Sequence, residues 1–232
     1  MKQHETLSTR ERFVNWLTQT LSRYRKVITI GGITAVVLIV GIVAYFEIQD
    51  RRLEESLVLV EQAEEQIQQL QALEEGDERE QMESDVLATL DEVIDGYSRL
   101  YSAQRALFLR GSLRMEQEAW EQAIEDFSRV SDEFSESHLA LISLSNKAAA
   151  YEELGNLDQA LATYEELADK REERNPLRAR ALFSIGRIQE QMGDTEAATT
   201  SYEQLVSEYS DSEWTNLARN RILVLETGAS AN

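Results

Sequence analysis

The most constraining feature of this chain is a pattern of small and aromatic residues that occurs three times, at spacings of 37 and 38 residues. The copies start at Gly111, Ala148 and Gly186. At 12, 16 and 19 positions further on, the pattern contains Ala123, Ala160 and Ala198, then Phe127, Tyr164 and Tyr202, then Val130, Leu167 and Leu205. A period of this length is typical of stacked helical pairs. We therefore expect a solenoid, in which each pair packs against its neighbours.

The composition and the turn residues support helical pairs. The chain has one Pro and ten Gly, and good helix formers dominate, so the fold class should be all-α. Gly155 and Gly193 follow their repeat starts by seven positions, where the chain reverses and left-handed backbone is needed. The first copy has Glu118 there, which predicts a turn that is shifted or not left-handed. Asn175 and Pro176 predict a helix N-cap and the first helical residue of the third copy.

These positions resemble the tetratricopeptide repeat family, whose pattern has a small residue in the first helix, Gly near the turn, and Ala and an aromatic residue in the second helix. The resemblance covers three repeats over residues 104–212. Residues 213–232 should then form a capping helix and tail, with the helix running from Trp214 to Glu226 and ending at Gly228.

Residues 47–103 predict a degenerate fourth pair. A long helix over 47–73 carries the apolar stripe Leu53, Leu57, Val60, Ile67 and Leu70. It should pair with a helix over 84–98, across a charged loop at 74–85. The stripe also has near-heptad spacing, so a parallel coiled-coil homodimer is an alternative partner for it.

Residues 27–46 are twenty consecutive uncharged residues, which as a helix would span about 30 Å and predict a transmembrane segment. Residues 1–26 carry six cations and two acids, and this excess of positive charge favours a cytoplasmic N-terminus. Since the whole chain has a net charge of −20, residues 47–232 carry −24 on the other side. Such an acidic surface argues against nucleic-acid binding.

The cytoplasmic arm has its own apolar stripe, formed by Phe13, Trp16, Leu17, Thr20, Leu21 and Tyr24. Two interpretations remain open. The arm lies along the lipid headgroups as an amphipathic anchor, or it docks on another membrane protein.

Catalytic constellations are missing from the sequence. The histidines are His4 and His138, which the predicted topology places on opposite sides of the membrane, and there is no Cys. Histidine-based zinc sites and catalytic triads are therefore excluded, and no phosphate-binding glycine loop or calcium loop occurs. We expect no enzyme activity, cofactor or metal site, and we interpret the frequent paired carboxylates as solvated helix faces.

The first helices of a solenoid line a concave groove, where we predict the partner-binding surface. Its candidate residues are Arg105, Phe108, Ser112, Met115, Ile142, Ser145, Glu152, Arg180, Phe183, Arg187 and Glu190. Arginine and aromatic residues are enriched at the energetic centres of protein interfaces. One interpretation is that the arginines grip carboxylates of an extended partner. The other is that both Phe residues pack within the stack and each Arg pairs with a nearby Glu along its helix.

The order of a short arm, one anchor and a repeat domain resembles the bacterial ancillary subunits of the SecYEG protein-export translocon. This resemblance implies a single-pass protein of the inner membrane with its repeats in the periplasm. It also implies partners among translocon subunits, chaperones or newly exported clients. The alternative is a scaffold in another cell-envelope complex, such as outer-membrane assembly or division.

Overall fold

The computed structural model describes residues 8–170 and 175–228 of the chain, apart from the side chains of Glu11, Leu21 and Ile28. Within these ranges the regular structure is entirely α-helical, which confirms the predicted fold class. The helices are α1 (Thr9–Leu70), α2 (Asp77–Gly96), α3 (Tyr101–Glu116), α4 (Trp120–Glu133), α5 (His138–Glu153), α6 (Leu157–Asp169), α7 (Arg178–Gln191), α8 (Thr195–Glu208) and α9 (Glu213–Thr227).

The chain divides into two units, residues 1–54 and 55–232. In the described part of the first unit, α1 continues without a break through the residues predicted as arm and membrane span. By length and composition, part of α1 is apolar enough to cross a membrane. Other parts of the chain bury none of the residues in its most apolar stretch. Residues 1–7, which hold Lys2, His4 and Glu5 of the predicted arm, lie outside the described residues.

The second unit contains the predicted helical pairs. α3 and α4, α5 and α6, and α7 and α8 each pack against one another, and each pair packs against the next. α9 follows as the predicted capping helix, and Gly228 ends it in the left-handed conformation with φ 64°.

The small residues at the repeat starts lie against the aromatic residue of the second helix. A Cβ atom on Gly186 would stand 2.6 Å from Cε1 of Tyr202, and one on Gly111 would stand 3.0 Å from Cε1 of Phe127. Tyr202 and Phe127 are both fully buried. The pattern in the sequence is therefore a packing pattern, because glycine lets the two helices of a pair approach closely.

The prediction for the first turn was wrong. Glu118 has φ 57°, in the same left-handed region as Gly155 (φ 72°) and Gly193 (φ 84°). The N–H of Ala119 donates to the carbonyl of Arg114 at 2.8 Å, and the other two turns have the equivalent hydrogen bond. This bond closes the end of the helix and imposes the left-handed residue, even where the side chain disfavours it.

Two predicted boundaries were also wrong. The charged segment 74–85 is mostly helical, because α2 begins at Asp77, and its acidic first turn suits the positive end of a helix dipole. α7 begins at Arg178 rather than at Pro176. Asn175 instead holds a turn before the helix, where its Oδ1 accepts from the N–H of Leu177 at 2.9 Å.

The end of α1 shares a buried core with α2. Val60 and Leu70 are buried in one core with Leu90 and Val93 of α2, and this core extends to α3 and to Val130 of α4. Val60 and Leu70, two residues of the near-heptad stripe, therefore pack within this chain. A second core joins α5 to α9.

A buried ion-pair network ties α3 to α4. Asp126 is fully buried, and its carboxylate accepts from Arg110 at 2.5 Å and from Arg114 at 2.7 Å. Arg110 also pairs with Asp91 of α2. Burial disfavours the charge of Arg110, but the hydrogen bonds and charges of Asp126 and Asp91 outweigh it and raise the pKa of Arg110.

Candidate partner-binding groove

The predicted groove residues lie on α3, α5 and α7, the first helices of the three pairs. The structure brings five of them to two adjacent cavities near α7. Glu152, Arg180, Phe183 and Arg187 line a cavity of about 350 Å³, together with Ala149, Glu153, Tyr164, Ser184 and Trp214. Phe183, Arg187 and Glu190 line a cavity of about 390 Å³, together with Gln191, Tyr202 and Arg221. We call these two cavities the α7 groove.

Phe183 stands between the two cavities and lines both. Its ring centroid lies 5.6 Å from that of Tyr202 and 5.4 Å from that of Trp214. Phe108 has a similar contact in the first pair, 5.9 Å from Phe127. Both Phe residues thus pack within the stack, as one interpretation predicted, while Phe183 keeps a face towards the α7 groove.

The polar wall of the groove is a trio of Glu, Tyr and Arg from three different helices. Glu152 of α5 accepts from the hydroxyl of Tyr164 at 2.9 Å. The same carboxylate pairs with Arg187 of α7 at 2.6 and 2.8 Å. The trio therefore joins the second pair to the third.

A second trio repeats this arrangement one pair further along. Glu190 of α7 accepts from the hydroxyl of Tyr202 at 2.6 Å and from Nε of Arg221 at 3.0 Å. Since Arg221 belongs to α9, this trio joins the third pair to the capping helix. The two trios lie one in each cavity of the α7 groove.

The electrostatics of the trios favour the charged form of Arg and the neutral form of Tyr, and in the second trio they also favour the charged form of Glu190. Burial, and then the neighbouring Glu152, raises the pKa of Tyr164 to about 12. Burial and Glu190 likewise raise the pKa of Tyr202. Burial would raise the pKa of Glu190, but Arg221 and Tyr202 outweigh it and lower that pKa. The hydrogen bond with Glu152 raises the pKa of Arg187, against a smaller effect of burial.

The first repeat has apolar residues at the positions that form the polar trios in the second and third repeats. Phe127 replaces the Tyr, Met115 replaces the Glu, and Ala149 of the next pair replaces the Arg. The first and second repeats therefore cannot be joined by such a polar trio, and the trios distinguish the α7 groove from the rest of the inner face.

Two of the three candidate arginines already have a carboxylate partner within this chain. Arg105 pairs with Glu64 of α1 at 2.7 Å, and Arg187 pairs with Glu152, so both guanidinium groups already hold a carboxylate of this chain. These pairs join different helices, whereas the other interpretation placed them along one helix. Arg180 is exposed and forms no ion pair with any residue that the structure describes.

The remaining predicted residues lie outside the α7 groove. Ser145 is only 2% exposed, so it cannot contact a partner directly. Ile142 is 38% exposed. Ser112 donates to the carbonyl of Phe108 within its own helix at 2.9 Å, and Met115 is half-buried.

Sequence reasoning missed the groove residues contributed by other helices, namely Tyr164, Tyr202, Trp214 and Arg221. One signal was present. The second and third repeats both have Glu four positions and Tyr sixteen positions after the repeat start, and the first repeat has neither. A shared difference of this kind indicates two side chains that interact. No comparable signal marks Trp214 or Arg221, because the capping helix is not a copy of the repeat.

The described residues contain no group of three or more His, Cys, Asp or Glu side chains placed to hold a metal ion. The carboxylates of Glu152 and Glu190 in the α7 groove are bound to Arg and Tyr side chains. Its chemistry is that of a recognition surface, with apolar and aromatic walls beside a few oriented polar groups.

Family comparisons agree with this architecture. Two models of the tetratricopeptide repeat match residues 105–137 and 139–207. These helical pairs are tetratricopeptide repeats. A TPR repeat-containing protein of Treponema pallidum (strain Nichols) is 31% identical over 109 residues, which is 47% of this chain and 45% of that relative. The match thus spans less than half of the relative's length.

Solved structures show the same fold. A tetratricopeptide repeat protein from Parabacteroides merdae has a TM-score of 0.58 at 15% identity, covering 75% of this chain and 61% of that one. A kinesin light chain-like protein from Podosopora anserina, with nearly identical TPR-like repeats, has a TM-score of 0.54 at 16% identity, covering 74% of this chain and 87% of that one. Tetratricopeptide repeats are scaffolds for binding other proteins, so residues 105–207 form a protein-interaction module.

Proposed function

We propose that this protein is a membrane-anchored binding module of a bacterial inner membrane, with its tetratricopeptide repeats in the periplasm. Its partners in this proposal are the protein-export translocon, periplasmic chaperones or newly exported clients. Tethering a binding surface beside an export channel raises the local concentration of a partner without any catalysis.

One observation carries the membrane part of the proposal. Between Val27 and Phe46 the large apolar side chains of α1 that the structure describes are each more than half exposed within the chain, for example Val27 at 67% and Phe46 at 60%. Soluble proteins rarely expose a continuous apolar surface of this extent. A bilayer would cover it, since twenty helical residues match the thickness of the hydrocarbon core at about 30 Å.

The orientation rests on the excess of basic residues before the span. It can be tested directly because the chain has no Cys, so one introduced thiol is unique. We expect a membrane-impermeant maleimide to label Asp169→Cys in cells with a permeabilised outer membrane. Ser22→Cys should react only after the inner membrane is dissolved. The opposite labelling pattern would refute the proposed topology.

The α7 groove is the proposed binding surface. It combines two cavities, the aromatic residues Phe183 and Trp214, and the exposed cation Arg180. Aromatic and arginine side chains contribute most of the binding energy in many interfaces. Because Arg187 and Arg221 are already paired with Glu152 and Glu190, we expect apolar groups of the partner to provide the main contacts.

Photo-crosslinking in native membranes tests both the surface and the partner. A photoreactive phenylalanine analogue replaces Arg180 in the α7 groove or, as the control, the exposed Glu165 on α6. Mass spectrometry of the products should identify a translocon subunit, a chaperone or an exported client at position 180 but not at position 165.

The other outcomes of this experiment are equally informative. Crosslinks from position 180 to proteins of outer-membrane assembly or division would replace the translocon with the scaffold alternative. Specific crosslinks at position 165, with none at 180, would move the binding surface away from the α7 groove. Products without any envelope protein would refute the proposed function.

A further inference from the structure

A third cavity, of about 450 Å³, lies where the start of α3 meets the turn between α4 and α5. It is lined by residues of that turn together with Tyr101 and Gln104 of α3. None of the predicted groove residues lines it, and it shares no residue with the α7 groove. We call it the turn cavity.

Among the described residues, those that line the turn cavity include two carboxylates and no Lys or Arg. Glu133 uses Oε1 to accept from Arg129 at 3.0 Å, a pair on the exposed surface of α4. Glu136 forms no ion pair with the described part of the chain. The local charge is therefore negative, and a cation could enter without displacing an internal partner of Glu136.

A buried hydrogen-bond acceptor lies in the same wall. Gln104 is only 6% exposed, and its Oε1 accepts no hydrogen bond from the residues that the structure describes. A buried polar atom without a partner costs about 1–3 kcal/mol, so most such atoms in proteins are paired. A ligand with N–H donors would supply the partner that the protein does not.

Two aromatic rings complete the turn cavity. Tyr101 is 46% exposed, which is unusual for a large aromatic side chain at the start of a packed helix, and Phe134 is half-buried. The face of an aromatic ring attracts a guanidinium or ammonium group. The acceptors, carboxylates and rings thus favour one class of ligand.

We propose that the turn cavity binds an arginine or lysine side chain of a protein partner. The carboxylates of Glu136 and Glu133 accept from the cation, Gln104 accepts one of its N–H groups, and Tyr101 packs against it. The net charge of −24 over residues 47–232 draws basic partners towards this surface. A metal ion does not fit, because the described residues hold no group of three metal-binding side chains.

The test uses His138, which lines the turn cavity and would report on a ligand there. The full chain in detergent micelles carries His4→Gln, so that one imidazole signal remains in the NMR spectrum. The probe is the capped tripeptide Ac-Ala-Arg-Ala-NH2, and the comparison peptide has Gln in place of Arg. We expect a saturable shift of the His138 signal with the Arg peptide and none with the Gln peptide.

Matched variants separate a specific site from general attraction to an acidic protein. Glu136→Gln and Glu165→Gln remove the same charge, but only Glu136 lines the turn cavity. We expect Glu136→Gln to weaken binding of the Arg peptide about tenfold, as the loss of a charge-assisted hydrogen bond implies. Tyr101→Leu should weaken it about threefold.

Glu165→Gln should leave the affinity unchanged. Equal weakening by Glu136→Gln and Glu165→Gln would mean that only the net charge attracts the peptide, and the proposal would fail. It would also fail if the Arg and Gln peptides shifted the His138 signal alike, or if neither shifted it.

Discussion

Replacing Gly186 by Ala tests whether the repeat pattern exists for close helix contact. The new methyl group would lie 2.6 Å from Cε1 and 2.8 Å from Cζ of Tyr202, whereas ordinary contacts are 3.4–4 Å. Tyr202 has little freedom to retreat. It is fully buried, and its hydroxyl donates to Glu190 at 2.6 Å. To accept the methyl group, α7 and α8 must separate, or the second trio must lengthen its hydrogen bonds.

The expected magnitude is the difference between two opposing effects. Forcing an extra methyl group into a packed core costs about 1–3 kcal/mol. Ala in place of Gly stabilises a helix by about 1 kcal/mol. The 2.6 Å contact places Gly186 in the upper part of that cost range, at about 2–3 kcal/mol, so we expect Gly186→Ala to lower the free energy of unfolding by about 1–2 kcal/mol. At Gly111 the closest contact is 3.0 Å, to Phe127, whose ring has no hydroxyl to hold it, so Gly111→Ala should be nearly neutral.

The assay is thermal unfolding of the full chain in detergent, followed by far-ultraviolet circular dichroism, which reports on helix content. A loss of 1 kcal/mol corresponds to roughly 2–4 °C for a chain of this size. Gly96→Ala is the control, since Gly96 is exposed in the last turn of α2 with nothing within 4 Å of a new Cβ. It should raise the melting temperature. The reasoning is refuted if Gly186→Ala stabilises the chain as Gly96→Ala does, or if Gly111→Ala is the more damaging change.

Three further predictions concern stability under the same assay. Asp126→Ala should destabilise the chain by about 3 kcal/mol, because it removes the buried carboxylate that Arg110 and Arg114 share and leaves Arg110 with Asp91 alone; a loss below 1 kcal/mol would contradict the network's role. Glu118→Gly should stabilise by about 1 kcal/mol by relieving the left-handed backbone, and no gain would mean that the turn is unstrained. Because the pKa of Glu190 is lowered in the folded state, its charge stabilises the fold above the ordinary value of 4.5. The difference between the wild type and Glu190→Gln should therefore vanish as pH falls through the lowered pKa, and a constant difference would refute the ion-pair contribution of Glu190.

Much of the α7 groove could be anticipated because helical periodicity fixes which positions face inward. Five predicted residues line it, including Phe183 and Arg187. The contacts that each side chain makes in the groove could not be predicted from the sequence of its own helix. The Glu that holds Arg187 comes from α5, 35 positions earlier, and the aromatic ring beside Phe183 comes from α9. Such pairs depend on how the helical pairs stack, and spacing within a single repeat carries no information about that.

The sequence by itself determined the all-α class, the three repeats, the capping helix and the apolar span, because each follows from periodicity, from helix propensity or from length. Only the tertiary structure decided how the turns and charges are used. Glu118 adopts a left-handed conformation since the hydrogen bond that closes α3 requires it. Arg105 and Arg187 pair within the chain because neighbouring helices place carboxylates within reach. Both outcomes are possible because local preferences differ by only about 1 kcal/mol. A backbone hydrogen bond at the helix end outweighs the preference of Glu118, and contacts between packed helices decide the partners of the two arginines.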